Sequence, residues 1–502
     1  MQFAALTVDP AFRVGEVDPR LYGSFVEHLG RCVYEGIHEP GHPDADEHGF
    51  RRDVAELTRE LGVPIVRYPG GNFVSGYHWE DGIGPVAERP TRIDLAWRTI
   101  EPNHVGVDEF QRWAGSVGTE TMMAVNLGTR GIDAARNFVE YCNHPSGTYW
   151  SDRRRANGAA DPYAIKVWCL GNEMDGPWQI GHKTAVEYGR LAAETGKAMR
   201  LVDPSIELVA CGSSSRAMPT FGSWEATVLR ETYEVADYVS MHAYYQEHDG
   251  DRDSFLASAV DMDAFIDAVI ATADHVRAVG RHRKRINISF DEWNVWYQTR
   301  FAGEKNLSIQ QTPRLIEDVY SVTDAVVVGN LLISLLRHAD RVRIGCQAQL
   351  VNVIGLIMTE PGGPAWRQSS YHPFALTSRH GRGTVLRLEP TSPVYETAAH
   401  GPVPVLDAVA VLSDDEAGVV LFAVNRDQRQ ELTLDVDVRA LPSLTVADHV
   451  ALFDDDPDAV NDATNPDRVT PRRLDPPKVD GGRIQAVLPP LSWNMIRLTT
   501  GR

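Results

Sequence analysis

The sequence has few cysteines and no long apolar run. No stretch of about 18 consecutive apolar residues occurs, and the N-terminal MQFAALTVDPAFRV lacks a basic segment followed by an apolar one, so we expect neither a membrane span nor a secretory leader. The five cysteines are odd in number and widely spaced, which argues against a disulfide framework. We expect them to be reduced packing residues of a cytoplasmic protein.

Positive charge is also scarce. With 49 Lys and Arg against 69 Asp and Glu, the formal net charge is −20, which disfavours nucleic acid and anionic membranes and favours a neutral small molecule as partner. No G-x-G-x-x-G and no P-loop motif follows a predicted strand, which argues against nucleotide binding. The acidic and histidine-rich stretches HEPGHPDADEHGF and DDDPDAVND lack the spacing of zinc or calcium motifs, so we predict loops without a metal there.

Short β-rich runs alternate with amphipathic helical segments between residues 19 and 350. The strand-like runs are RLYGSFVEH, PIVRYPGG, ETMMAVNLG, IKVWCLGNE, IELVACGSS, YVSMHAYY, RINISFDEWN and VRIGCQAQLVN. Between these runs, apolar residues recur at helical spacing. An example is the stripe from Phe265 to Val276, which lies between YVSMHAYY and RINISFDEWN. Alternating units predict an α/β fold with a parallel sheet, and eight of them favour a closed (β/α)8 TIM barrel over an open doubly wound sheet.

The pattern changes near residue 376, where strand signals continue without helical periodicity. Turn-forming clusters such as SDDEAG and LPPLS separate these runs, which predicts a β-sandwich. The N-terminal FAALTV is also strand-like, and we expect it to join that sandwich. The predicted division is an N-terminal strand segment (1–18), a (β/α)8 catalytic barrel (19–375) and a C-terminal, jelly-roll-like β-sandwich (376–502).

Two glutamates end predicted barrel strands, where barrel enzymes build their active sites. Glu173 follows strand four in VWCLGNEMDGPW, and Glu292 ends strand seven in FDEWN. A lone glutamate is more often an exposed loop residue, but two carboxylates on opposite walls are what glycoside cleavage requires, one as acid and one at the anomeric carbon. Trp178 and Trp296 lie just beyond and would face the apolar side of a sugar, although a single tryptophan packs in a core about as often.

Other polar groups share these strand ends. Asn172 can donate to the hydroxyl next to the anomeric carbon, and Tyr244 can donate to Glu292 and keep that carboxylate ionised. The remaining groups at the predicted mouth include Glu27, His28, Gly70, Gly71, Asn72, Asn126, His242, Tyr245, Asp291, Asn294, Gln347, Gln349 and Asn352.

Several motifs in chain order make the sequence resemble the glycoside hydrolase family 51 α-L-arabinofuranosidases: SFVEHLGRCVYEGI (24–37), RYPGGNF (67–73), GNE (171–173), SMHAYY (240–245) and FDEWN (290–294). The resemblance covers nearly the whole chain. It implies a retaining mechanism with Glu173 as acid/base and Glu292 as nucleophile. It also implies that the furanose hydroxyls are held by Glu27, Asn72, Asn172, Tyr244 and Gln349, and that the subsite floor is lined by Trp97, Trp178 and Trp296.

The function implied by the resemblance is that of a cytoplasmic, exo-acting enzyme without cofactor or metal. It would release terminal non-reducing α-L-arabinofuranosyl residues from arabino-oligosaccharides or arabinoxylan fragments, as a homo-oligomer that family resemblance makes a hexamer. The residues alone leave alternatives open: another retaining barrel glycosidase such as a β-glycosidase or endoglucanase, a metal-dependent barrel hydrolase, or a non-catalytic sugar-binding protein. They do not set linkage or chain-length preference.

Overall fold

The computed structural model describes residues 2–441 and 444–500. Met1 of the predicted N-terminal segment, and 442–443 and 501–502 of the predicted sandwich, lie outside the described residues. The strands in chain order are β1 (Gln2–Thr7), β2 (Arg13–Glu16), β3 (Gly23–Phe25), β4 (Ile65–Tyr68), β5 (Arg92–Asp94), β6 (Thr99–Glu101), β7 (Glu120–Val125), β8 (Val167–Leu170), β9 (Glu207–Ala210), β10 (Tyr238–Tyr245), β11 (Asn287–Val295), β12 (Val342–Ala348), β13 (Ile357–Thr359), β14 (Ala365–Arg367), β15 (Thr384–Leu386), β16 (Val394–Thr397), β17 (Gly401–Pro404), β18 (Leu406–Leu412), β19 (Gly418–Asn425), β20 (Leu432–Asp437), β21 (Leu444–Leu452), β22 (Arg472–Leu474), β23 (Val479–Asp480), β24 (Arg483–Leu488) and β25 (Ser492–Thr500). The α-helices are α1 (Arg52–Leu61), α2 (Val107–Val117), α3 (Ile132–Asn143), α4 (Tyr149–Ala156), α5 (Ala185–Val202), α6 (Ser223–Thr232), α7 (Arg252–Leu256), α8 (Ser258–Gly280), α9 (Val322–Arg337) and α10 (Tyr371–His380).

Eight strands close into a parallel barrel. Their order around the barrel is β3, β4, β7, β8, β9, β10, β11, β12 and back to β3. These are the eight predicted runs, and helices follow each of them along the chain, so the predicted (β/α)8 barrel is confirmed. A strand such as β8 is buried on both faces, because one face packs inside the barrel and the other under the helices; its continuous apolar run follows from that.

The helices carry the apolar stripe that the barrel requires. On α8 the predicted stripe is buried, from Phe265 and Ile266 through Val269 to Val276. Helix α9 is different, because every residue from Val322 to Leu336 is buried. A helix that is apolar on all sides must be covered on all sides, and α9 lies between the barrel strands and the C-terminal sheets.

The C-terminal part is a β-sandwich, as predicted. A four-stranded sheet (β1-β20-β24-β23) packs on a seven-stranded sheet (β2-β15-β18-β19-β25-β21-β22). Strand β1 pairs in parallel with β20, and β2 pairs with β15. On β18, Ala408 and Ala410 face the sandwich core, whereas Val409 and Val411 pack into the barrel core. At β18 the seven-stranded sheet is therefore buried on both faces; the division of the chain at residues 18/19 and 375/376 stays a prediction.

The cysteines and the membrane prediction can be compared with these elements. Cys32, Cys142, Cys169, Cys211 and Cys346 are all buried free thiols, as predicted. None of the helices within the described ranges has the length and apolar character needed to cross a bilayer.

Candidate active site

A cavity of about 390 Å³ opens where the barrel strands end. Nine of the ten predicted site residues line it: Glu27, Asn72, Trp97, Glu173, Trp178, Tyr244, Glu292, Trp296 and Gln349. The tenth, Asn172, is buried and is not among the lining residues; its Oδ1 atom accepts a hydrogen bond of 2.6 Å from Arg67. The ends of the barrel strands and the loops beyond them thus bring together groups that are up to about three hundred residues apart in sequence. The roles assigned to these groups stay predictions.

Glu173 and Glu292 face each other across this cavity. One carboxylate oxygen of each lies within 4.8 Å of the other, with His242 between them. The Nδ1 atom of His242 is 2.9 Å from Oε1 of Glu173 and 3.6 Å from Oε2 of Glu292. Retaining glycosidases hold their two carboxyl groups about 5–5.5 Å apart, because one must reach the anomeric carbon while the other reaches the glycosidic oxygen. The observed spacing suits that geometry.

Glu292 is surrounded by donors that favour its ionised form. Arg67 Nη1 donates to Oε1 at 2.6 Å and the Tyr244 hydroxyl donates to Oε2 at 2.7 Å, so the hydrogen bond expected for Tyr244 is present. Burial works to lower the pKa of Arg67, but Asp291 and Glu292 raise it well above its usual value. A permanent cation and a phenol therefore both stabilise negative charge on Glu292.

Glu173 has a different setting. It sits in the turn after β8 with a left-handed φ of 43°, a conformation that costs a non-glycine residue free energy and is found most often at functional sites. Its Oε2 atom accepts from Trp178 Nε1 at 2.8 Å. Trp178 is 47% exposed, so it lies at the rim of the cavity with a face open to a ligand and does not serve as core packing.

Glu27 anchors the opposite corner of the cavity. Its Oε1 atom accepts from the Phe73 amide and from Trp97 Nε1, each at 2.9 Å, and Gln349 Nε2 lies 3.3 Å from Oε2. Burial raises the pKa of Glu27 to about 8, and the charge of Glu292 adds to that shift. The site therefore holds a third carboxyl group, which burial favours in its protonated form.

Gly71 allows the two corners to approach each other. A Cβ atom at this position would lie 3.1 Å from Oε1 of Glu292 and 3.3 Å from Oε2 of Glu27. Those contacts are tighter than a carbon normally makes with an oxygen, so a side chain here would displace the carboxylates. Gly71 of RYPGGNF is thus explained by its close approach to the two carboxylates.

Three functional residues were given no role by the sequence. The sequence pattern places His242 and Asp291 at the predicted mouth without assigning them a role, and it does not distinguish Arg67 from its neighbours. Arg67 is 1% exposed within the buried run IVRY. A charge in a fully buried strand needs a partner, so that pattern was the signal that could have found it.

His242 makes contacts through both ring nitrogens. Nε2 lies 3.1 Å from Oδ1 of Asp291, opposite the contact of Nδ1 with Glu173. Burial works to lower the pKa of His242, but Glu292, Asp291 and Glu173 raise it to about 10. Glu173, His242 and Glu292 also have the residue types and spacing of a metal site. However, both imidazole nitrogens already contact carboxylates, and Glu292 already accepts a hydrogen bond from Arg67. Ion pairing among the side chains accounts for the cluster.

Carboxylates in the loops HEPGHPDADEHGF and DDDPDAVND are bonded to other groups of the protein. Asp46 accepts from the amides of His48 and Phe50. In the acidic stretch, Asp454 pairs with Arg468 and Arg472. The absence of a metal from the reaction stays a prediction.

A (β/α)8 barrel with two glutamates at the ends of its fourth and seventh strands, 4.8 Å or less apart, is the arrangement of a retaining glycoside hydrolase. Two family models match the chain: "Alpha-L-arabinofuranosidase 1 domain" over residues 57–263 and "Alpha-L-arabinofuranosidase C-terminal domain" over residues 291–492. The chain belongs to the glycoside hydrolase family 51 α-L-arabinofuranosidases. It is an exo-acting enzyme that retains anomeric configuration.

Individual relatives support this assignment over the full length. An intracellular exo-α-(1→5)-L-arabinofuranosidase of Streptomyces lividans is 59% identical over 500 residues, covering 99% of this chain and 75% of the relative. A protein of the same name from Halalkalibacterium halodurans is 56% identical and covers 99% of both chains. The solved structure of a family 51 α-L-arabinofuranosidase from Bifidobacterium longum superimposes with a TM-score of 0.95 at 48% identity, again over 99% of both chains.

Proposed function

We propose that the enzyme removes terminal (1→5)-linked α-L-arabinofuranosyl residues from arabino-oligosaccharides, with Glu292 as nucleophile and Glu173 as acid/base. The observation that carries the role assignment is the asymmetry of the two carboxylates. Glu292 accepts from the fixed cation Arg67 and from Tyr244, which stabilises an anion, whereas Glu173 accepts from a neutral indole and contacts His242, where a proton can reside.

The reaction then follows from the geometry. Glu292 attacks the anomeric carbon to form a glycosyl-enzyme, while Glu173 gives its proton to the departing oxygen. Glu173 next removes a proton from water, which attacks the same carbon from the face that the leaving group vacated. Two inversions give net retention. Arg67 and Tyr244 release Glu292 as its charge is consumed and receive it again when the intermediate is hydrolysed.

We propose that the cavity binds a single furanose ring, because its lining offers both polar groups and apolar faces. Glu27, Asn72 and Gln349 offer acceptors and donors for its hydroxyls, and Trp178 and Trp296 offer apolar faces. The (1→5) linkage is proposed because the relatives from S. lividans and H. halodurans are named for it. Their names also say intracellular, and we propose a cytoplasmic location. A homo-oligomer, hexameric by family resemblance, is proposed as the assembly.

The test is a panel of arabinobioses with (1→2), (1→3), (1→5) and (1→6) linkages, alongside p-nitrophenyl arabinofuranoside and glucoside. Proton NMR in the first minutes identifies the anomer of the first-formed sugar. We expect the (1→5) dimer to have the highest kcat/KM, the α-anomer to appear first and the glucoside to be inert. Equal turnover of all four dimers would contradict the linkage proposal, and the β-anomer first would contradict the mechanism.

A further inference from the structure

The floor of the active site holds charged groups beyond the two glutamates of the proposed mechanism. Glu173, Asp291 and Glu292 are three buried carboxylates, while Arg67 is one buried guanidinium. Arg67 Nη1 bonds to Glu292, and its Nε atom is 3.9 Å from Asp291. If all three carboxylates are ionised, one cation leaves two negative charges uncompensated, which is costly in a buried site. His242 is the group placed to carry a proton that compensates one of these two charges.

Asp291 fixes the direction of the His242 ring. Its Oδ1 atom is 3.1 Å from Nε2, and its carboxylate is 1% exposed, so water does not compete for it. An ionised aspartate can only accept, so Nε2 keeps its hydrogen and Nδ1 is the nitrogen that changes state. Nδ1 is also the atom that faces both Glu173 and Glu292.

The thiols and the phenol around this cluster stay neutral, whereas one neighbouring carboxyl group, Asp175, titrates on the acid side. Cys169 Sγ lies 3.9 Å from Asp291, and burial raises the pKa of Cys169 and of Cys211, so both thiols stay neutral. Burial and Glu292 raise the pKa of Tyr244, on the same strand as His242. Asp175 faces Glu173 from the loop after β8, and burial raises its pKa to about 6, so it is ionised over the upper part of the pH range.

We propose that Asp291 is a positioning residue that holds His242 so that Nδ1 shares one proton with Glu173, making His242 the place where that proton rests between steps. The proposal rests on Glu173 being the acid/base. Before cleavage, the proton moves from Nδ1 to Oε1 of Glu173 and from there to the departing oxygen. When water attacks, Glu173 takes one of its protons and returns it to Nδ1, so each turnover consumes one water and leaves the proton count unchanged.

The test is the pH dependence of kcat/KM on an unactivated arabinobiose, whose leaving group needs the proton. In Asp291→Asn the amide still accepts from Nε2 but carries no charge. The shared proton is then lost more easily, and the basic limb should move toward lower pH by about 1 to 3 units, as expected when an opposite charge within 4–6 Å is removed. An unshifted basic limb in a folded Asp291→Asn enzyme would overturn the proposal.

Two further variants separate the explanations. His242→Asn removes the shared proton without altering Asp291, and its basic limb should also move to lower pH. Because Asp291 acts through His242, adding Asp291→Asn to His242→Asn should shift the limb no further; a further shift of equal size means that Asp291 acts on Glu173 directly and rejects the pair. Asp108→Asn is the matched control, since Asp108 is a buried acceptor for Tyr141 and Tyr163 away from this cavity, and its profile should match that of the wild type.

Failure of this proposal is distinguishable from failure of the role assignment. In Glu292→Gly, added azide should give an arabinofuranosyl azide of inverted configuration, and in Glu173→Ala one of retained configuration, so the azide products identify each carboxylate independently of pH. If those products have the expected configurations while the basic limb of Asp291→Asn and of His242→Asn stays in place, the acid/base assignment stands and the proton-sharing pair is wrong.

Discussion

In the proposed mechanism two chemically identical side chains perform opposite tasks, and the assignment of each task rests on single contacts. Glu292 is held by Arg67, a group that is charged at every accessible pH. Glu173 has no such cation of its own and contacts an imidazole. A carboxylate bonded to a permanent cation is stabilised as an anion, whereas one beside a titratable ring can gain and lose a proton. These neighbours are the reason we propose Glu292 as nucleophile and Glu173 as acid/base.

Replacing the nucleophile should leave the acid in place without a partner. In Glu292→Gly no other carboxylate is placed to bond the anomeric carbon, so turnover should be abolished. Added azide can enter the vacated volume and attack once, giving an arabinofuranosyl azide of inverted configuration, detectable by NMR. Glu292→Gln, which leaves no space for azide, is the control and should stay inactive. Near-normal activity of Glu292→Gly without azide would show that the nucleophile lies elsewhere.

Replacing the acid/base should affect poor leaving groups most. In Glu173→Ala, natural oligosaccharides should lose about 10²–10⁴-fold in kcat/KM, the usual contribution of a general acid, whereas an activated aryl arabinofuranoside should still form the glycosyl-enzyme. Hydrolysis of that intermediate becomes slow, so stopped-flow absorbance should show a burst of phenol before a low steady state. Azide should speed the steady state and give a product of retained configuration. Equal losses for both substrates, with no burst, would remove Glu173 from this role.

At the scale of elements, the hairpin β5–β6 carries Trp97 into the site. The carboxylate of Asp94 accepts from the amides of Ala96 and Trp97 in the turn between the two strands. Trp97 in turn donates its indole hydrogen to Glu27. The hairpin lies outside the barrel sheet, so its turn geometry rather than a strand end positions this tryptophan.

Loss of that turn should weaken substrate binding more than it slows the chemical step. Asp94→Ala frees the backbone of Trp97, and Glu27 loses one of its donors, so KM should rise about tenfold, the effect of one hydrogen bond of about 1.4 kcal/mol, while kcat changes less. Steady-state kinetics on (1→5)-arabinobiose measure both. The control is Arg92→Ala on the same hairpin, whose exposed pair with Asp81 should contribute little. A kcat loss larger than the KM change would mean that Trp97 acts on the chemical step.

The strand ends were predictable from the sequence because apolar runs stop where Asn172, Glu173 and Glu292 begin, and a barrel collects such ends at one mouth. The partners inside the mouth were not. Arg67 meets Glu292 across 225 residues of chain, and that pairing depends on barrel register and on which way each side chain leaves its strand. Hydrophobic periodicity carries no information on either, so the cations between the carboxylates appear only in the folded structure.

At the scale of the whole molecule, the barrel and the sandwich share a buried polar junction. Arg426 donates to Asn330 on α9 and to Asp407 on β18, and Asn330 donates to Asp407 at 2.7 Å. Arg337 pairs with Asp407 as well and with Asp263 on α8. Removing one partner from such a junction leaves a buried charge uncompensated, so the junction favours one arrangement of the barrel and the sandwich.

Acid should destabilise the molecule partly through His372, on helix α10 at this same side of the barrel. Burial and, to a smaller extent, the charge of Arg367 together lower the pKa of His372 from its ordinary value of 6.5 to about 4. In the unfolded chain the ring therefore binds a proton near pH 6.5, but in the folded protein it does so only near pH 4. Between these values the unfolded state holds more protons, so stability falls as pH decreases through that window.

His372→Gln should remove that part of the acid sensitivity. The shift corresponds to at most about 3 kcal/mol between pH 6.5 and 4, so the fall in Tm over this range should be smaller in the variant by several degrees, whatever its Tm at pH 7. Buried carboxyls such as Glu27, whose pKa is raised to about 8, titrate with the opposite sign but equally in both proteins, so the difference between the two curves isolates His372. Scanning calorimetry at intervals of half a pH unit measures it. His275→Gln, at an exposed position on α8, is the matched control and should follow the wild type; parallel curves for wild type and His372→Gln would show that His372 is not a source of the acid instability.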